Sequence, residues 1–158
     1  MPEHVVRAIA RQCMEEDTFR TVFYDGPVKD EESFLAVMQG PANAAVFAFS
    51  GDQIIGFAWL NGISGCHAFG HFCFLKQAWG EAATDAGRMI LEYWLSFPKA
   101  DGTPLLQVIL GTVPVTNTLA LAFIHNIGFK RAGSIPKMLH NAYTGEDVAA
   151  AILYYVRP

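Results

Sequence analysis

A small-residue loop between an apolar segment and an amphipathic one is the part of the sequence best suited to chemistry. Residues 69–75 are rich in aromatic and bulky side chains and predict a strand. Apolar residues recur at helical spacing over residues 82–97 and predict a helix, and the loop between them, residues 76–81, centres on Gly80. The first backbone N–H groups of a helix lack internal partners and carry the positive end of its dipole. This order of elements therefore indicates a site for a phosphate or pyrophosphate.

Two spacings in the chain resemble those of one enzyme family. Gln77-Ala78-Trp79-Gly80-Glu81-Ala82 fits the pattern Q/R-x-x-G-x-G/A, which resembles the pyrophosphate-binding loop of the GNAT superfamily, the acyl-CoA N-acyltransferases. Further on, Asn117-x-x-Ala120-x-x-Phe123-x-x-x-x-Gly128-Phe129 resembles the segment that follows the fifth strand of these enzymes. Both occur in the family's order within residues 44–157, which makes the resemblance more specific than either spacing alone.

The resemblance implies a set of residues that bind an acyl-CoA, with acetyl-CoA as the expected donor. The strand backbone around Gly70, His71 and Phe72 would pair with the pantetheine arm like an added strand. Asn117 would contact the same arm from the other side of a cleft. The loop and the first helical turn would hold the pyrophosphate through the main-chain N–H groups of Ala78, Trp79, Gly80, Glu81, Ala82 and Ala83. Gln77 opens the same loop and is also expected to bind the cofactor.

The sequence departs from the family at the positions that usually move protons. Family members often carry a tyrosine seven residues after the asparagine, as the acid for the leaving thiolate, and here that position is Ile124. Some carry a glutamate base five residues before the asparagine, and here Thr112 stands there, whose hydroxyl is far too weakly basic. Glu81 also places an anion in a loop that would bind an anion. Acyl-CoA binding is thus better supported than any particular acid–base pair.

His71 is the candidate catalytic base, because its ordinary pKa lies near neutral pH and its strand would line the thioester. A hydrogen-bonded histidine of the cleft or core is the alternative interpretation. Cys66, His67 and Cys73 suggest a metal site together with His71. On a strand, however, His67 and His71 would lie about 13 Å apart at ~3.3 Å per residue, too far to share one tetrahedral zinc ion. No metal is therefore expected.

Four acidic residues lie in the region that walls the acceptor site in the family: Asp25, Asp30, Glu31 and Glu32. Their carboxylates would attract a cationic amine. Acidic residues at a helix start are equally explained by the helix dipole, so both interpretations stay open.

The remaining patterns predict an α/β domain. Predicted helices cover residues 2–15, 30–39, 82–97 and 117–127. Predicted strands cover residues 19–24, 44–49, 53–61, 69–75, 105–112, 130–138 and 148–156, with turns at 50–52 and 62–65. The expected fold class is α/β, with a GNAT-like mixed, mostly antiparallel sheet of about six to seven strands and helices on both faces. Residues 1–158 are expected to form a single domain.

Composition and charge limit the classes of partner that the chain can be expected to bind. The chain has 158 residues, of which 52% are hydrophobic and 16% charged, and its net charge is −4. An acidic balance argues against nucleic acid as the main partner and suits a cationic amine. No uncharged apolar run approaches ~18 residues, so no membrane partner is expected. Three cysteines without close pairing suit a reducing cytoplasm. The 13% aromatic content has three possible explanations, which are a crowded ligand cleft, a core rich in aromatic residues and a homodimer interface.

These observations favour an acyltransferase that moves an acyl group, acetyl being expected, from acyl-CoA to an amine by direct attack in a ternary complex. The acceptor is a small-molecule or peptide amine that the sequence does not identify. One alternative is a non-catalytic CoA-binding or protein-interaction module of the same fold, which the residues at positions 112 and 124 favour. A phosphate- or nucleotide-binding α/β protein unrelated to CoA is a second alternative.

Overall fold

The computed structural model describes residues 1–158. Five α-helices occur in chain order: α1 Glu3–Glu15, α2 Thr18–Val22, α3 Glu31–Gln39, α4 Glu81–Leu95 and α5 Thr118–Asn126. One turn of 3-10 helix spans Lys76–Ala78. The strands are β1 Ala44–Ser50, β2 Gln53–Ser64, β3 His67–Phe74, β4 Val108–Pro114, β5 Lys130–Asn141 and β6 Glu146–Val156.

The six strands form one sheet in the order β1-β2-β3-β4-β6-β5. Every neighbouring pair is antiparallel except β3 and β4, which are parallel. Parallel neighbours require a crossover, and α4 supplies it. The predicted α/β class with a mixed, mostly antiparallel sheet is confirmed. No helix has the length and apolar character needed to cross a lipid bilayer.

Two apolar cores lie on opposite faces of the sheet, because successive strand residues point to opposite faces. One core packs α4 and α5 on the sheet around Trp94, Ile109 and Phe74. The other packs α1, α2 and α3 on the opposite face around Phe34 and Phe57. Helices therefore cover both faces, as predicted, and adjacent residues of β3 face different cores.

The predicted strand at residues 19–24 is wrong. Residues 18–22 form α2, and the sheet has six strands because this segment does not join it. Phe19 and Phe23 are four residues apart, so one helical turn brings both rings to the same side, with centroids 5.0 Å apart. Both rings then contact Phe34 in the core. Burial of two aromatic rings outweighs the weaker β-propensity of the segment.

Some predicted boundaries also move. Strand β4 begins at Val108 rather than at residue 105, because the N–H of Leu105 donates to Phe97 and the chain only then joins β3. Strand β2 continues through the turn predicted at 62–65 as far as Ser64, with an irregularity after Asn61. Strands β5 and β6 extend towards each other beyond the prediction, because their hairpin stays paired up to Asn141 and Glu146.

Candidate active site

The site begins where two neighbouring strands part. Residues 67–69 of β3 pair with residues 108–110 of β4, and no pair follows them. Beyond this point β3 stays paired with β2, and β4 stays paired with β6. A wedge-shaped gap therefore opens within the sheet between the carboxyl ends of β3 and β4.

Unpaired main-chain groups line both sides of this gap. The N–H of Leu75 donates to the carbonyl of Ile55 on β2. Since residues alternate along an antiparallel ladder, the N–H and C=O of Phe72 point away from β2, into the gap. The N–H of Val115 donates to β6, so the same alternation turns the N–H and C=O of Thr112 towards the gap. An extended ligand inserted here could pair with both strands.

The gap is part of a cleft of about 280 Å³ that reaches both faces of the sheet. Its α4–α5 side is lined by Phe72, Phe123, Ile124 and Phe129, and its other side by the segment after α2 with Trp59, Asn61 and His71. A ligand arm entering from one face can therefore meet an acceptor entering from the other. The cleft brings together Gly70, His71, Phe72 and Asn117 of the predicted site, with Thr112 and Ile124.

A larger groove of about 680 Å³ lies elsewhere, at the free edge of β1 beside α1 and α4. Twelve of its thirteen lining residues are hydrophobic. It contains none of the predicted site residues. The cleft at the parted strands holds predicted site residues and is therefore the better candidate for chemistry.

The start of α4 presents free hydrogen-bond donors. Gly80 precedes the helix with φ 104° and ψ −131°, a conformation open to glycine alone. The N–H groups of Gly80, Glu81, Ala82 and Ala83 have no acceptor within the chain, since the first helical bond runs from the Thr84 N–H to the Gly80 carbonyl. Four consecutive free donors at a helix N-terminus are an arrangement suited to binding an anion.

Three of the predicted loop residues are engaged otherwise. The N–H groups of Ala78 and Trp79 donate to Leu75 and Lys76 in the short 3-10 turn. The Trp79 indole N–H donates to the Phe74 carbonyl at 2.9 Å, and the Gln77 side chain donates to the Ile54 carbonyl. These contacts hold the loop in place, so the main-chain donors that remain available are those of Gln77 and of residues 80–83. Glu81 is exposed and does not close the helix start.

His71 lies half-buried in the cleft on the α1–α3 face of the sheet. Its imidazole stacks on Trp59 with centroids 4.5 Å apart and planes 7° apart. Its Nε2 lies 3.2 Å from Oδ1 of Asn61. Burial lowers the pKa of His71 to about 4, so the ring is neutral at neutral pH. Trp59 and Asn61, which no sequence pattern singled out, therefore orient this candidate base.

Asn117 is the N-cap of α5, where its Oδ1 accepts the N–H of Ala120 at 3.1 Å. The residue also lines the cleft. One side chain thus fixes the start of the helix and borders the predicted binding site. The helix ends before Gly128, whose φ of 106° stops it, as predicted.

Tyr24 is a cleft residue that the sequence analysis did not select. It follows α2, and its carbonyl accepts the N–H of Ala142 from the β5–β6 hairpin. Burial raises the pKa of its phenol, the Asp25 carboxylate adds to this rise, and a hydrogen bond with the Thr112 side chain opposes it. The phenol is therefore protonated at neutral pH. Because this segment was predicted as a strand, no periodicity could have placed Tyr24 beside Thr112.

The four acidic residues divide into two groups. Asp30 caps α3 by accepting the Ser33 N–H, and Glu31 and Glu32 form ion pairs with arginines of α1. Asp25 alone lines the cleft. Asp30, Glu31 and Glu32 therefore fit the helix-start interpretation. Asp25 is the one of the four that is placed to attract an amine in the cleft.

The cysteine and histidine cluster is dispersed. No three His, Cys, Asp or Glu side chains are placed to hold a metal ion. Cys73 packs in the α1–α3 core, where contact with Cys13 and burial raise the pKa of its thiol. Such a thiol is an inert packing group.

The parted parallel strands, the crossover helix and the capped α5 define the fold of the GNAT N-acyltransferases, and this chain has that fold. Spermidine N-acetyltransferase from Vibrio cholerae, solved with CoA and spermine, superimposes with a TM-score of 0.76, at 15% identity over 99% of this chain and 92% of that one. RimL, a ribosomal alpha-N-protein acetyltransferase solved with coenzyme A, gives 0.77, at 11% identity over 99% and 90%.

A third similar structure is the microcin self-immunity acetyltransferase MccE, solved with acetyl-CoA and AMP. Its TM-score is 0.73, at 12% identity over 99% of this chain and 89% of that one. No protein-family model and no curated protein sequence match the chain. At such low identities the likeness establishes the fold, and the chemistry must be argued from the residues of the cleft.

Proposed function

We propose that this protein transfers an acyl group, most simply acetyl, from acyl-CoA to an amine by direct attack in a ternary complex. The observation that carries the proposal is the gap between β3 and β4, with the unpaired main-chain groups of Phe72 and Thr112 on its sides. A cleft that reaches both faces of the sheet lets donor and acceptor approach from opposite sides. The acyl-CoA would supply the activated thioester.

The residues present fit such a donor. The free N–H groups of residues 80–83 suit a diphosphate, and the exposed edge of β3 suits the amide-bearing pantetheine arm. Phe72, Phe123 and Phe129 give the arm an apolar wall on the α4–α5 side. The exposed Glu81 weakens the attraction but leaves the main-chain donors free.

Positioning would supply most of the rate enhancement. The Phe72 N–H, aimed into the gap, would donate to the thioester carbonyl oxygen and stabilise the charge that forms there. The neutral His71, or a water beside it, would take the proton released by the attacking amine. With a pKa of about 4 the imidazole is a weak base, although a stronger one than water, so His71 would pass the proton on to solvent rather than keep it. Ile124 cannot protonate the leaving thiolate, which is only weakly basic and can leave without a protein acid.

The similar structures support an amine as acceptor. Their names describe the acetylation of spermidine and of a ribosomal protein. The acidic net charge of −4 and the carboxylate of Asp25 in the cleft suit a cationic amine.

Titration calorimetry and thiol release test the proposal together. CoA should bind and ATP should not, and acetyl-CoA should release thiol faster when an amine is present. CoA binding without amine-dependent thiol release would instead favour the non-catalytic module, to which the loss of an acid and a base at Ile124 and Thr112 points. A tight ATP complex without CoA binding would overturn both.

A further inference from the structure

The side of the cleft that would receive the acceptor carries a single charge. Among all residues that line the cleft, Asp25 is the one with a formal charge at neutral pH, because His71 is neutral and no lysine or arginine lines the walls. One carboxylate suits one ammonium group. A polyamine would bring several positive charges to a single partner, and an amino acid would bring a carboxylate that no cation offsets.

Flat rings form the wall of this part of the cleft. Trp59 stacks with Phe23, at 5.4 Å and 19°, and with His71, at 4.5 Å and 7°. Trp59 and His71 are cross-strand partners on β2 and β3. The last β3–β4 pair is Phe69 with Leu110. If the same register is continued by two residues, Thr112 of β4 lies opposite His71, across the gap. One face of the imidazole is thus covered by Trp59, and the other is turned to the gap.

An uncharged ring with one free face can stack on another flat ring. A protonated imidazole would instead repel a cationic acceptor, so neutrality matters for the fit. Tyr24 and Thr112 also line this cleft, and Thr112 lies close enough to affect the pKa of the Tyr24 phenol.

We propose that the acceptor is a small arylalkyl monoamine, whose ring stacks on His71 and whose ammonium group is drawn in by Asp25. This inference rests on the proposed function and narrows its substrate class. The charge count argues against polyamines and amino acids, and the stacked rings argue against flexible aliphatic amines.

Four amines that differ by one feature each provide the test. With the full-length protein and acetyl-CoA, thiol release would be measured for 2-phenylethylamine, hexylamine, phenylalanine and spermidine. Hexylamine lacks the ring, phenylalanine adds a carboxylate, and spermidine adds charges. We expect kcat/KM for 2-phenylethylamine to exceed that for each of the others by about tenfold or more.

A charge-neutral variant tests the contact with the ammonium group. Asp25→Asn should raise KM for 2-phenylethylamine about two- to fivefold with kcat unchanged, because Asp25 is exposed and the lost attraction acts on the ground state and the transition state alike. Asp52→Asn removes the same charge from the exposed β1–β2 turn and is the matched control. Its KM should equal that of the unchanged protein.

The outcomes separate the two proposals. Turnover that is fastest with spermidine, phenylalanine or hexylamine would overturn the acceptor class while the acyltransferase function stands. Equal KM values for Asp25→Asn and Asp52→Asn would likewise refute the contact with Asp25. No amine-dependent thiol release with any of the four amines would refute the acceptor class, whereas absence of CoA binding would defeat the proposed function and this inference with it.

Discussion

Replacing Gly80 by alanine isolates the contribution of the loop before α4. Gly80 has φ 104° and ψ −131°, a combination that residues with a Cβ rarely adopt. A Cβ added there would meet no atom within 4 Å. The substitution Gly80→Ala therefore adds backbone strain without a steric clash, and any change in binding reports on the conformation of the loop.

The expected magnitude follows from this strain. Holding a residue other than glycine in such a conformation costs about 1–3 kcal/mol. In the ligand-free Gly80→Ala variant the loop would relax, and the N–H groups of residues 80–83 would change their orientation. Ligand binding would have to restore the original turn, so the Kd for CoA should rise roughly 5- to 150-fold.

Titration calorimetry with CoA and with pantetheine, which lacks the diphosphate, measures this effect. Pantetheine affinity should stay unchanged, because its contacts lie along β3. Gly51→Ala is the matched control, since Gly51 also has a positive φ, of 59°, and open space around its Cβ direction. It should lower the stability of the β1–β2 turn and leave CoA affinity intact. Equal CoA affinity in Gly80→Ala and the unchanged protein would refute the assignment of the diphosphate to this loop.

Further predictions concern a histidine, a cap and a helix contact. Because burial holds the pKa of His71 at about 4, the free energy of unfolding should fall by up to roughly 3 kcal/mol as pH drops from 6.5 to 4. The variant His71→Gln should not show this loss. An inflection of activity near pH 6.5 that disappears in His71→Gln would contradict the neutral ring. Asn117→Ala should destabilise the protein by about 1 kcal/mol in urea unfolding, whereas Asn117→Ser, which still accepts the Ala120 N–H, should not. Gly87→Val should cost roughly 1–3 kcal/mol in thermal unfolding, because a Cβ there would lie 2.9 Å from the Phe123 ring; an unchanged melting temperature would show that α5 moves freely away from α4.

Local patterns in the sequence were enough to predict most of the elements. The hairpin of β1 and β2 was predicted from its Gly51-Asp52 turn, and α5 from its cap at Asn117 and its stop at Gly128. The strand, loop and helix around Gly80 were predicted with the free donors at the helix start. These features depend on neighbouring residues in the chain, through turn chemistry, periodicity and capping, and are therefore readable without a structure.

The candidate site was only partly predictable. Its residues on β3 and on the helix of Asn117 followed from the resemblance to a known family. Tyr24 was not a candidate, and Asp25 could not be distinguished from Asp30, Glu31 and Glu32, because the preceding segment alternates like a strand and becomes a helix only when Phe19 and Phe23 reach the core. Trp59 and Asn61 belong to an ordinary apolar strand until the register brings them beside His71.

The sequence by itself determined the order of elements, the glycine before α4 and the absence of the family's usual tyrosine and glutamate from positions 124 and 112. Only the tertiary structure decided that β3 and β4 part after Phe69, that burial keeps His71 neutral and that Asp25 alone among the acidic residues reaches the cleft. Strand separation, burial and charge balance depend on groups far apart in the chain, and these groups meet only when both cores pack on the sheet.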